Sequence, residues 1–294
     1  LNRVEESLFK APAALYVITR QDIERSSAEQ ISDLFQRVPG MTVRQLSRHR
    51  HAISVRKDVQ IYFSDYLVLI DSQSYYNPFI NSTTWEAFDL ILEDIERIEI
   101  LRGSPGITYG ANSATGVINF ITRKSNTNEG TYVRAGVGTN KRSETVVRFS
   151  KAEQHWSYRI TLMDERDEGY DHSNTLADPS DRQIISMRLD KNWQDWSFLI
   201  NYRKLFAAKS ELGLISQQII QTHSDSETLY LNANKSFTDG GQLGIRGSLL
   251  DSNYKFGTIE QSLFYDFFDV ETIYTQPWQW GTSQLGSSIR AIDY

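Results

Sequence analysis

From Gly130 onward, polar and apolar residues trade places at every second position. Trp156, Tyr158, Ile160 and Leu162 alternate with Ser157, Arg159 and Thr161. Trp196, Phe198, Ile200 and Tyr202 alternate with Ser197, Asn201 and Arg203. Leu243, Ile245 and Leu249 alternate with Gly244, Arg246 and Ser248. A period of two is the strand period, because successive side chains leave a pleated backbone on opposite faces. Repeated short strands between polar turns fit two architectures. One is a transmembrane β-barrel, with a lipid face and a wet face. The other is a soluble antiparallel β-sandwich. No run approaches the ~18 apolar residues of a spanning helix. A mean hydropathy of −0.45 does not separate the two, since barrel strands average out as polar. Aromatic residues make up 12% of the chain, which suits the aromatic girdles of a barrel.

The first 124 residues read differently. Ala13 to Thr19 predicts a strand, and Asp22 is a candidate cap for a short helix after it. Ser27 and Gln30 stand at capping-box spacing before ISDLFQRV. Ile31, Leu34, Phe35 and Val38 then fall on one helix face, and Pro39-Gly40 ends it. Strands are predicted near Met41–Val43, Ala52–Arg56 and Leu67–Asp71. Two polar stretches interrupt them. One is basic: Arg44, Arg48, His49, Arg50 and His51. The other, Ser72 to Trp85, is rich in aromatics and amides: Tyr75, Tyr76, Asn77, Phe79 and Trp85.

The stretch LEDIERIEILRGSPGITYGANSATGVINFIT, Leu92 to Thr122, ends this part. Ile98, Ile100 and Leu101 alternate with Arg97, Glu99 and Arg102 as in a half-buried strand. Gly103, Pro105, Gly106 and Gly110 force a turn, and Val117 to Ile121 resume a strand. The ordered set of the acidic run Glu93 to Glu99, Arg102-Gly103, Tyr109-Gly110-Ala111-Asn112 and Gly116-Val117-Ile118-Asn119 resembles the end of the plug domain of TonB-dependent outer-membrane receptors. LFQRVPGMTV, AISVR and YLVLIDSQSYYNPF extend the resemblance upstream, so that it covers roughly Ala11 to Lys124. One departure is Lys57, where the family carries a glycine after Ser54-Val55-Arg56.

The resemblance implies an α+β plug domain over residues 1–124, then antiparallel transmembrane β-barrel strands over 125–294. Plugged transporters have 22 strands, whereas about nine or ten are legible here, so the expectation is an incomplete barrel. It implies a receptor in the outer membrane of a Gram-negative bacterium, embedded in lipid. The implied partners are TonB, acting with ExbB and ExbD, and a scarce external ligand, a ferric siderophore first. Cobalamin, haem, nickel or a carbohydrate are alternatives, as is a surface binding or adhesion protein that does not transport. The signal peptide and the TonB box are expected upstream of Leu1.

Within that frame the basic run lies at the plug apex, and guanidinium groups suit anionic chelates. Arg44, Arg48, His49, Arg50, His51, Tyr75, Tyr76, Asn77, Phe79 and Trp85 are the candidate ligand residues. Arg56, Glu93, Glu96, Arg97, Glu99 and Arg102 are candidates for ion pairs that lock plug to barrel. His49 and His51 are expected as solvated loop residues.

Other chemistries find little support. A net charge of −6 gives no footprint for nucleic acid. The absence of cysteine excludes disulfides, thiolate metal sites and a cysteine nucleophile. The acidic residues of 164–168 and the pair Asp178 and Asp181 do not follow a calcium-loop spacing. There is no phosphate-binding loop, no G-x-S-x-G and no H-E-x-x-H. The chain is expected not to be an enzyme, and to need neither cofactor nor metal.

Overall fold

A computed structural model of the chain describes residues 14–56, 66–75, 77, 82–103, 109, 113–169, 178–212, 219–256 and 261–293. The chain divides into two units, Leu1–Arg123 and Lys124–Tyr294.

The first unit is built on seven strands: β1 (Ala14–Thr19), β2 (Met41–Gln45), β3 (His51–Val55), β4 (Tyr66–Ile70), β5 (Gln73–Ser74), β6 (Ile95–Arg102) and β7 (Gly116–Thr122). Five of them form a sheet in the order β1-β6-β7-β4-β5, and β2 and β3 make a separate pair. Among the described residues β4 and β7 are the one parallel pair, and every β4 residue is buried. That explains the continuous apolar run YLVLI, since a strand covered on both faces has no polar side. At Gly116 an added Cβ would lie 2.6 Å from the Leu101 carbonyl oxygen, so only glycine lets β7 approach β6 this closely.

Helix α1 (Arg20–Arg25) starts at Thr19, and Asp22 is its reciprocal partner rather than the cap. The Thr19 amide donates to Asp22 Oδ2 at 2.9 Å, and the Asp22 amide to Thr19 Oγ1 at 3.2 Å. The Thr19 hydroxyl also donates to Asp22 Oδ2 at 2.6 Å, and this bond, with that from the Thr19 amide, holds the Asp22 carboxyl below its ordinary range. The predicted helix over Ile31–Val38 is a 3-10 turn, Ile31–Arg37, and its Gln30 amide donates to Asp33 Oδ2 at 2.9 Å. Pro39 limits it, because a residue before proline avoids the α region. Ile31, Leu34, Phe35 and Val38 are all buried, as their spacing predicts.

The core of this unit is aromatic. Phe35 meets Trp85 edge-on with centroids 5.5 Å apart, and Phe88 meets Phe120 at 5.0 Å. The Trp85 indole N–H donates to the Tyr66 hydroxyl at 3.1 Å. Asp71, at a positive φ of 49°, closes the sheet. Its carboxylate accepts the Thr122 amide at 2.8 Å and the Thr122 hydroxyl at 2.6 Å, which ties the end of β4 to the end of β7.

The second unit is one antiparallel sheet of nine strands in sequence order. They are β8 (Gly130–Val137), β9 (Ser143–Ala152), β10 (Trp156–Asp167), β11 (Ser180–Trp193), β12 (Trp196–Leu212), β13 (Ile219–Ser236), β14 (Gln242–Phe256), β15 (Gln261–Trp278) and β16 (Gly281–Asp293). The edge strands β8 and β16 do not pair with each other, so the sheet does not close.

The burial of this sheet is inverted relative to a soluble protein. On one face Arg159, Thr161, Ser186, Arg188, Asn201 and Arg203 are buried. On the other, Leu162, Met187, Ile200, Leu231 and Leu249 are exposed at 38% or more. A sandwich buries its apolar face and wets its polar one. The reverse pattern needs an apolar solvent outside, which is what a membrane barrel meets. Ion pairs fill part of the polar face: Arg142 contacts Glu144 at 2.7 Å and Glu165 at 3.1 Å, and Arg182 reaches Glu165 at 3.4 Å.

The start of the second unit is pinned to its own sheet. Ser125 is fully buried; its amide donates to Asp190 Oδ2 at 2.9 Å, and its hydroxyl to the Arg188 carbonyl at 3.3 Å. Arg188 holds Asp190 with two guanidinium bonds, of 2.9 and 2.7 Å. Asp190→Ala removes the acceptor for Ser125. The expected result is faster trypsin cleavage after the exposed Lys124 in the folded protein, read by mass spectrometry of the first fragments.

A pH dependence follows from Tyr66. Burial pushes its phenol well above the ordinary value of about 10. A folded value raised above the unfolded one gives stability that is complete below about pH 10 and lost as pH rises through the folded value. The urea midpoint of the first unit, followed by hydrogen exchange in β6 and β7, is expected to fall above about pH 10. In Tyr66→Phe the midpoint starts ~1 kcal/mol lower through the lost bond to Trp85, and the alkaline fall is reduced.

Candidate functional site

The basic run sits where β2 turns into β3. Residues 46–50 close the hairpin: the Leu46 amide donates to the Arg50 carbonyl at 2.8 Å, and the Arg50 amide to Ser47 Oγ at 3.3 Å. This geometry separates the five candidate side chains. Arg44, opposite Ala52 on β2, is exposed. Arg48 turns back to pair with Glu29, and its carbonyl accepts the Gln30 side-chain amide at 3.0 Å. It rims a groove of about 560 Å³ beside α1, lined by both signs of charge, with Arg25, Glu29, Asp33 and Arg37 among them. His49, Arg50 and His51 are buried at 6 to 8% exposure. The expectation of solvated histidines is therefore wrong. Only His51 lies in a strand, and the hairpin turn folds His49 inward instead of leaving it in a loop.

The second candidate stretch points largely inward as well. The Tyr75 ring packs edge-on against Phe88 at 4.9 Å, and its hydroxyl donates to the Ala87 carbonyl at 3.4 Å. Trp85 belongs to the aromatic core. Asn77 bridges to Ser82, and its side-chain amide donates to Thr84 Oγ1 at 3.5 Å. Tyr76 and Phe79 lie outside the described residues.

Of the six locking candidates, two converge. The Arg56 amide donates to the Gly40 carbonyl at 2.9 Å, and Arg102 donates to the Pro39 carbonyl. Gly40 has a φ of +77°, and a Cβ there would stand 3.4 Å from Arg102 Nη1 and 3.7 Å from Arg56 Cγ. The Pro39-Gly40 turn thus gathers two arginines far apart in sequence. Arg56 itself carries a positive φ of 54°, one residue before the place where the missing glycine suggested one; Lys57 lies outside the described residues. Three of the other four have partners in their own unit. Arg97 donates to Glu99 at 2.8 Å, and Glu96 contacts Arg123 at 3.6 Å. Glu93 is buried in the turn Leu92–Asp94.

Sequence reasoning missed Asp71, Thr122, Ser125 and Asp190 as structural ties. The only signal was Asp71-Ser72 after an apolar strand, a pattern that marks a turn but not its distant partner. Among the described residues no group of three or more His, Asp or Glu stands ready to hold a metal ion.

Comparison with known proteins agrees with this geometry. Residues 7–117 match the family described as TonB-dependent Receptor Plug Domain. The vitamin B12 transporter BtuB of Vibrio vulnificus is 31% identical over 143 residues, which cover 49% of this chain and 23% of that protein. BtuB of Vibrio cholerae is 30% identical over 171 residues, 58% of this chain and 27% of that one. Among solved structures, the alcaligin outer-membrane receptor FauA of Bordetella pertussis superposes with a TM-score of 0.72 at 15% identity, over 97% of this chain and 49% of FauA. The ferripyoverdine receptor of Pseudomonas aeruginosa gives 0.74 at 14% identity, over 97% of this chain and 43% of that receptor. The chain spans about a quarter of the length of the BtuB relatives and about half that of the solved receptors. With the plug match, the two-part architecture and the inverted sheet in hand, the first unit is a TonB-dependent receptor plug domain, and the chain as a whole has the fold of the solved outer-membrane receptors, with an incomplete set of barrel strands as its second unit.

Proposed function

We propose that the protein imports a scarce metal-bearing nutrient across the outer membrane, with energy relayed by TonB from the inner membrane. The single observation that carries this is the plug fold over residues 7–117, followed by an inside-out β-sheet. A plug domain joined in one chain to such a sheet suits regulated passage better than an open pore. Ligand binding would bias the plug between a closed and an open arrangement, and differential affinity for the two is all that such coupling requires.

For the ligand we favour a corrinoid, because the relatives at 30–31% identity are vitamin B12 transporters. The burial of His49, Arg50 and His51 and the pairing of Arg48 with Glu29 speak for the same choice. They leave less free positive charge at the hairpin than an anionic ferric chelate calls for. A ferric siderophore is the second reading, supported by the exposed Arg44. In either case we propose that the corner of Pro39, Gly40, Arg56 and Arg102 holds the plug at rest.

The test is uptake by cells that carry the full-length protein as their only receptor, supplied with labelled cyanocobalamin or with iron-55 siderophores. Cobalamin uptake that disappears when TonB is deleted is the expected result. Iron uptake in place of cobalamin, reduced by Arg44→Ala, would favour the second reading. Accumulation that is indifferent to TonB would rule out energised import.

A further inference from the structure

A pocket of about 580 Å³ opens across β11 to β14, toward the end at which β12 runs on to Leu212 and β13 begins at Ile219. Its side chains leave the sheet on the same face as Met187 and Ile200, since residues two apart on a strand share a face. Two cross-strand rows line it. In one, Gln183, Phe206, Asp225 and Asn253 stand opposite one another in turn. In the other, two residues further along, Asp181, Ala208, His223 and Lys255 do the same. Ala208 makes the hollow, because a methyl group stands there among longer side chains.

The chemistry of the lining is specific. Phe206 is 39% exposed, and the Lys204 ammonium stands over its ring at 4.7 Å from the centroid. Lys204 also lies 3.6 Å from Asp225, so that carboxylate is largely balanced. Asp181 and Lys255 add one charge of each sign. The pocket therefore has little net charge, and neither a polyanion nor a polycation suits it. What remains is hydrogen-bonding capacity around an aromatic ring. The Gln183 amide donates to Asp164 Oδ1 at 2.8 Å, which leaves its carbonyl oxygen as an acceptor. Asn253 Oδ1 is shut off from solvent, and among the described residues nothing donates to it.

We infer that this pocket binds the neutral sugars of a glycan, with Phe206 against the C–H face of a ring and the ring hydroxyls on Asp225, Asn253, Gln183 and His223. A sugar ring has an apolar face and a rim of hydroxyls, each of which donates and accepts. An aromatic platform flanked by planar amide, carboxylate and imidazole groups matches both parts. The volume is in the usual range for small-ligand sites. Four strands at ~4.8 Å spacing make the row from Gln183 to Asn253 about 14 Å long, more than one sugar ring. The pocket lies on the opposite face of the sheet from the buried Arg159, Arg188 and Arg203, so it is separate from the polar side of the wall. Two sources offer this chemistry: the sugars of a glycolipid headgroup in the same membrane, and a free oligosaccharide.

The test is saturation-transfer NMR on the purified full-length protein in detergent. The probes are the oligosaccharide released by mild acid from the host's lipopolysaccharide, and maltotriose. Transfer to sugar C–H protons is expected, with affinity about tenfold weaker in Phe206→Ala. Phe206→Tyr should keep the binding, and Asn253→Ala should lose part of it; retained heat-modifiable migration on gels shows that each variant is folded. Binding of the lipopolysaccharide fragment alone would support the glycolipid as source, and equal binding of maltotriose would support a free saccharide. No transfer to either probe, or transfer unchanged by Phe206→Ala, would overturn the inference. So would loss in Lys255→Ala with Phe206→Ala unaffected, because the pocket would then read a charged group. TonB-dependent uptake by Phe206→Ala is expected to match the unaltered protein, so that failure here is distinguishable from failure of the import reading.

Discussion

In hydrocarbon there is no water to satisfy a backbone amide or carbonyl, so every strand of a membrane wall must be paired by another strand. The second unit obeys this constraint over its whole interior. Nine strands follow one another in sequence order, and each of the seven inner ones is bonded to the one before and the one after. Sequential antiparallel pairing needs only tight turns and loops, and it leaves two edges, on β8 and β16. An unpaired edge is costly in a bilayer, so the described sheet, with two open edges, is an incomplete barrel and not a wall by itself. The inverted side-chain pattern follows from the same solvent. Once the exterior is apolar, Leu, Ile and Met can face it at no cost, and the polar side chains must turn to the other face and find one another there.

The plug lives under the opposite rule. It buries its aromatic residues in an ordinary core and closes its sheet with polar ties. Asp71 with Thr122 joins two parallel strands whose ends would otherwise be free to part. A charge-assisted bond of this kind gives roughly 1.5–3 kcal/mol. The Pro39-Gly40 corner adds a second tie through Arg56 and Arg102. On the import reading proposed above, these few polar bonds at the ends of the strands are the contacts that could change partners while the apolar core stays intact.

The change to a period of two from Gly130 onward is legible in the sequence alone. The continuous run at Leu67–Ile70 and the one-sided spacing of Ile31, Leu34, Phe35 and Val38 both recur in the structure as buried residues. Local rules were less reliable where two residues competed for one role. Asp22 looked like a cap and is the reciprocal partner of Thr19; Ser27 and Gln30 looked like a box, and Asp33 supplies the bond instead. The candidate site was the least legible part. Arg48, His49, Arg50 and His51 read as one cationic cluster, because composition counts charges without asking where each points. A five-residue hairpin turn sends Arg48 to Glu29 and buries the three that follow.

The amino-acid sequence by itself determined the two periodicities, and through them the two architectures, because a period is a local property of the backbone. It determined that the wall would have one apolar and one polar face. Only the tertiary structure decided that the polar face is the buried one, since alternation is symmetric between inside and outside. Only the tertiary structure decided that Trp85 packs on Phe35 and Phe120, and that Ser125 is held by Asp190. Such contacts join residues tens of positions apart. Their geometry depends on how whole strands are registered, and no local window of sequence contains it.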